Sequence, residues 1–79
     1  MEPKDTLGDE VLRSRLREAR LQAGLKQAGL AQALGEPQSF VSKYENGERR
    51  LTFLEVRRIC TALGLGFAEF VKSLEEDLE

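Results

Sequence analysis

Apolar residues recur along this chain at three- and four-residue intervals, and no stretch shows the single alternation of a half-buried strand. Leu12, Leu16 and Ala19 mark a first helix, with Asp9 placed to cap it and Gly24 to end it. Leu30, Ala31 and Leu34 mark a second, from about Gln27 to Leu34. Gly35 follows, where a chain leaving one helix for another needs positive φ. Val41 and Tyr44 mark a third, from about Gln38 to Glu45, stopped by the turn residues Asn46 and Gly47. Thr52 and Glu55 form a capping box for a fourth, expected to bury Phe53, Val56, Ile59, Cys60 and Leu63 and to close at Gly64. Phe67, Phe70, Val71, Leu74 and Leu78 line one side of a fifth, from about Phe67 to Leu78. The expected architecture is all-α, five helices in one small domain over residues 9–79. Residues 1–8, aperiodic and holding Pro3 and Gly8, are expected to form a flexible arm.

The second and third helices meet at a tight turn, and small Ala31 lets them approach closely. A helix–turn–helix of this kind places its second helix in a DNA major groove. At about 100° per residue, Gln38, Ser42, Asn46, Ser39 and Lys43 share one polar arc of the third helix. Pro37, Val41 and Tyr44 fall on the opposite, core-facing side. Gln can bond adenine N6 and N7 together, Lys can donate to guanine, and Ser can serve either. Gln38, Ser39, Ser42 and Lys43 are therefore the candidate base contacts. Phe40 lies at the edge between core and groove and is expected to pack against the second helix.

Three runs, Gly24-Leu25-x-Gln27-x-x-Leu30-Ala31-x-x-Leu34-Gly35, Ser39-x-Val41-Ser42-Lys43-Tyr44-Glu45-x-Gly47 and Ala62-Leu63-Gly64, resemble the helix–turn–helix domain of the Cro/C1-type phage repressors, the XRE family. The likeness runs from about residue 10 to about residue 72. It implies a lambda-repressor-like five-helix domain and a sequence-specific regulator of transcription, a repressor, that binds double-stranded DNA. It also implies that Gln27 and Gln38 bond each other while one holds a phosphate and the other an adenine. A buried ion pair between Arg20 and Glu45, joining the first helix to the end of the third, is implied as well. Lys26, Asn46, Arg49 and Arg50 flank the motif and are the remaining candidate phosphate contacts. Family members usually pair on a near-palindromic operator. Leu54, Val71, Leu74 and Leu78, apolar positions that four small helices leave over, are the candidate homodimer surface. Two departures stand out: Lys26 occupies the usual Ser/Thr cap position, and Gly29 within the second helix costs about 0.5–1 kcal/mol.

The net charge of −2 is unusual for a DNA binder, and its distribution explains it. Residues 1–11 sum to −3, residues 12–50 to +4 and residues 51–79 to −3. The segment with the motif is thus basic, as a phosphate footprint requires. With no His and one Cys, a zinc site has no ligands, and Cys60 reads as a small buried hydrophobe. No metal, cofactor or small-molecule ligand is expected. The chain has no Ser/His or Cys/His pair and no phosphate-binding glycine loop, which argues against an enzyme. No apolar run approaches the ~18 residues of a membrane span, nor does the N-terminus read as a leader, so a cytoplasmic protein is expected. The alternative reading is an antitoxin or adaptor of the same fold that binds a protein partner as well as its operator.

Overall fold

A computed structural model describes residues 7–78. Five helices follow one another: α1 (Leu7–Gln22), α2 (Gln27–Leu34), α3 (Gln38–Glu45), α4 (Phe53–Ala62) and α5 (Phe67–Leu78). Among the described residues there is no strand. α1 packs on α3 and α5, α2 on α3 and α4, and α4 on α5. The core at their meeting point comprises Leu16, Leu30, Val41, Tyr44, Ile59 and Cys60, each almost wholly withdrawn from water. Cys60 is unpaired, and burial pushes its thiol up to about 11.

α1 begins two residues before the expected cap. Asp9 lies inside its first turn with Glu10, where carboxylates suit the positive end of the helix dipole. Leu7 and Gly8 are therefore helical, and the rest of the expected arm lies outside the described residues. Phe53 also departs from expectation. It was expected in the core but is 69% exposed, because the first residue of α4 overhangs the edge of the bundle. Its ring meets that of Phe67 edge-on at 5.2 Å. Pro37 is exposed too. It is the extended residue before α3 (φ −69°, ψ 156°), so the helical wheel does not apply to it. Leu74 is partly buried and packs on the core, which reduces the apolar excess of α5 to Val71 and Leu78, 40% and 47% exposed.

The turn between α2 and α3 depends on Gly35, whose φ is +71°. This left-handed residue lets the Glu36 N–H donate to the Ala31 carbonyl at 2.9 Å, closing the end of α2. The Arg58 guanidinium adds a donor to the carbonyl of Leu34. The start of α2 has no such help, since Lys26 gives it no side-chain cap. The two glycines of this unit should respond oppositely to alanine. Gly35→Ala is expected to lower stability by about 1 kcal/mol, because a Cβ meets no atom there and the cost is backbone strain alone. Gly29→Ala is expected to raise it by about 0.5–1 kcal/mol, since the new Cβ would stand 3.4 Å from Leu25 Cδ2 in ordinary contact. Urea unfolding of the two variants checks both signs.

Candidate nucleic-acid interface

α3 divides cleanly around its axis. Phe40, Val41 and Tyr44 are buried, while Gln38, Ser39 and Lys43 are exposed and Ser42 is half-buried. The outward face is wholly polar and eight residues long, a shape and chemistry that suit the edges of base pairs.

That face is held by a carboxylate beneath it. The Glu45 side chain is 4% exposed and that of Arg20 6%. Arg20 Nε donates to Glu45 Oε2 at 2.7 Å and Arg20 Nη2 to Oε1 at 3.0 Å. Arg20 Nη1 donates to the Leu25 carbonyl at 2.9 Å, so the guanidinium ties α1, the α1–α2 turn and α3 together. The bonds to Glu45 favour the charged form and raise the Arg20 pKa. Gln27, at the start of α2, donates from Nε2 to the same Oε1 at 2.9 Å. The expected bond between the two glutamines is the loosest link: Gln38 Nε2 lies 3.5 Å from Gln27 Oε1. A relay thus runs from the core through Arg20, Glu45 and Gln27 to Gln38 on the outer face. Arg17 joins this site from α1, a residue that the sequence pattern did not single out. Its Nε stands 3.9 Å from Glu45 Oε1 with the side chain 60% exposed, leaving one positive charge in excess at the rim. Its spacing of three from Arg20 in a helix was the available signal.

The loop after α3 carries the other basic groups, and the structure separates them. Asn46 Oδ1 accepts the Glu48 N–H at 3.0 Å, and its Nδ2 donates to the Glu48 carboxylate at 3.2 Å. Arg49 lies 4.7 Å over the Phe40 ring and donates from both terminal nitrogens to Glu55 at 2.9 and 3.0 Å. Phe40 meets Tyr44 edge-on at 5.6 Å, so it packs inward beneath Arg49. Glu55 also completes the capping box, accepting the Thr52 N–H at 2.9 Å and giving its own N–H to Thr52 Oγ1 at 3.1 Å. Arg49, and then the Thr52 N–H, hold the Glu55 carboxyl down at about 2. Arg50 is more open: its side chain is 64% exposed and makes a 2.8 Å bond to Asp9. Lys26 and Lys43 are exposed. Among the described residues no cluster of His, Cys, Asp or Glu could hold a metal ion, and no helix is long and apolar enough to cross a membrane.

Glu45→Ala is expected to destabilise the fold by about 3–5 kcal/mol, because it leaves Arg20 charged and buried without its partner. Replacing both with apolar residues of similar volume should cost less, and thermal melts compare the two. Glu55 predicts a pH dependence. Its folded pKa lies below the usual carboxylate value of 4.5, so its contribution is complete above that value and fades as pH falls towards 2. The melting temperature should fall across that window, and less steeply in Glu55→Gln.

Comparison with known proteins agrees with this fold. A family model described as Helix-turn-helix (HTH_3) matches residues 16–70. An XRE-family like protein from Pseudomonas syringae pv. tomato str. DC3000 is 42% identical, covering 91% of this chain and 88% of its own, with a TM-score of 0.85. ClgR from C. glutamicum, a clp gene regulator, is 25% identical over 96% of each chain, with a TM-score of 0.77. The restriction-modification controller protein C.Esp1396I, as a tetramer in complex with its natural 35 base-pair operator, is 21% identical over 91% of this chain and 95% of its own, and its TM-score of 0.83 shows the same fold. No curated protein sequence matches significantly. The chain belongs to the XRE-like helix–turn–helix family.

Proposed function

We propose that this protein is a sequence-specific regulator of transcription that reads the major groove of double-stranded DNA with α3 and represses by occupying its operator. The observation that carries this is the exposed polar face of α3, fastened from beneath by the buried Arg20–Glu45 pair. Gln38, Ser39, Ser42 and Lys43 are the base contacts in this reading. Gln27, Lys26, Asn46, Arg50 and Arg17 meet the phosphates. Arg49, gripped by Glu55 and stacked on Phe40, positions the loop instead of clamping the backbone. The family and fold are those of DNA-binding regulators and not of enzymes.

One such helix covers a half-site, and a homodimer on a pseudo-palindromic operator supplies the second. Phe53 and Leu54, 69% and 63% exposed at the start of α4, are the strongest candidates for the contact, with Val71 and Leu78 of α5 as further exposed apolar positions. Oligomers occur among similar structures, as in the operator-bound tetramer of C.Esp1396I. Two-fold pairing about such a contact would set the recognition helices about 34 Å apart, one turn of B-DNA.

Selection from a random duplex pool is expected to yield two related half-sites. Gln38→Ala and Lys43→Ala should each weaken binding to the selected site by about 1–3 kcal/mol and relax one base position. Variants that keep both affinity and consensus would remove these side chains from the groove. Sedimentation should show a wild-type dimer at micromolar concentration and monomers for Phe53→Glu and Leu54→Glu. A wild-type chain that stays monomeric and binds one copy per single half-site would contradict the pairing.

A further inference from the structure

We propose that the recognition helix is fastened to α1 by one internal water bound to the hydroxyl of Tyr44. Tyr44 is 1% exposed, and its hydroxyl, the only polar atom of the side chain, has no hydrogen-bond partner among the described residues. A buried hydroxyl left in that state is costly, so it should find a partner that the protein does not supply. Tyr44 lines a small, partly open pocket of about 30 Å³, room enough for a water molecule. Asp9, Leu12 and Arg13 of α1 form one wall, and Gly47, Arg50 and Leu51 of the loop after α3 form another. The wall also carries three guanidinium groups, Arg13, Arg49 and Arg50, of which Arg50 is paired with Asp9 and Arg49 with Glu55. Water can accept the Tyr44 O–H and donate to Asp9 or a loop carbonyl, joining α1 to the end of the reading helix.

The sign of one substitution tests this. If a water is bound, Tyr44→Phe removes a bond and should lower the melting temperature by about 4–8 °C. A melting temperature that stays or rises means that the hydroxyl was dry, and overturns the proposal. The wild-type crystal structure at high resolution gives the second reading. One ordered water within hydrogen-bond distance of Tyr44 Oη is expected, and a dry cavity or a direct bond from Oη to a protein carbonyl would refute it.

A separate observation assigns a role to Asp9. Resting on the reading of Arg50 as a phosphate contact, we infer that the Asp9 carboxylate occupies the place a phosphate oxygen takes in the complex. Asp9 Oδ2 lies 2.8 Å from Arg50 Nη2, on a guanidinium otherwise open to solvent. A phosphate must displace this carboxylate before Arg50 adds to affinity. Asp9 thus lowers what Arg50 adds to the affinity for any duplex that places a phosphate there, the operator and unrelated DNA alike.

Binding against salt concentration separates the two layers of this inference. Arg50→Gln should lower the slope of log affinity against log salt by about one, and an unchanged slope removes Arg50 from the interface altogether. Asp9→Asn should strengthen binding to an unrelated duplex about two- to fivefold beyond Glu10→Gln, which makes the same charge change one residue away. That gain should vanish in the Arg50→Gln background. If Arg50→Gln lowers the slope but Asp9→Asn gains no more than Glu10→Gln, Arg50 meets phosphate and Asp9 does not compete for it.

Discussion

A single buried carboxylate sets the geometry on which this protein's surface depends. Glu45 ends α3, and its two oxygens receive Arg20 from α1 and Gln27 from α2. Three helices are therefore referred to one point, and the orientation of the reading helix follows from it. Packing of Val41 and Tyr44 against the core sets the depth of α3, but apolar contact alone allows rotation and sliding. A charged bond at 2.7 Å is directional and removes that freedom. The arrangement is costly if broken, because either partner alone would be a charge stranded away from water.

The same logic of paired charges governs the loop after α3. The Arg49 guanidinium is held between an aromatic face and a bidentate carboxylate. Glu55 links it to the capping box of α4, so the loop, the reading helix and the exposed Phe53–Leu54 edge share one set of contacts. Pairing between copies at that edge would then be referred to the reading helix through few intermediates. Local excess positive charge is left to Arg17, Lys26 and Lys43, which explains how a chain of net charge −2 can present a basic face.

Much of the fold was legible because its punctuation is chemical. Gly35 and the Thr52–Glu55 capping box mark positions where backbone geometry admits few residues, and the end of α2 and the start of α4 followed. The start of α1 was not legible, because an aspartate suits both a cap and a first turn, and Asp9 occupies the second. Phe53 continued the apolar stripe of α4, but periodicity cannot say that a helix overhangs its support. The polar arc of α3 was evident from spacing, and the Arg20–Glu45 pair from family likeness. The partners of Arg49 and Arg50 were not. They stand six and 41 residues away, and nothing in a charge pattern selects one carboxylate from fourteen.

The most direct test of the central claim is residue-resolved nuclear magnetic resonance of the protein titrated with its selected duplex. The largest shifts should fall on Gln38, Ser39, Ser42 and Lys43 and at the start of α2, while the Arg20 Nε–H signal, bonded to Glu45, stays in place as the complex forms. Shifts centred on the α1–α5 face, or loss of the Arg20 signal on binding, would contradict a reading helix held rigid by Glu45.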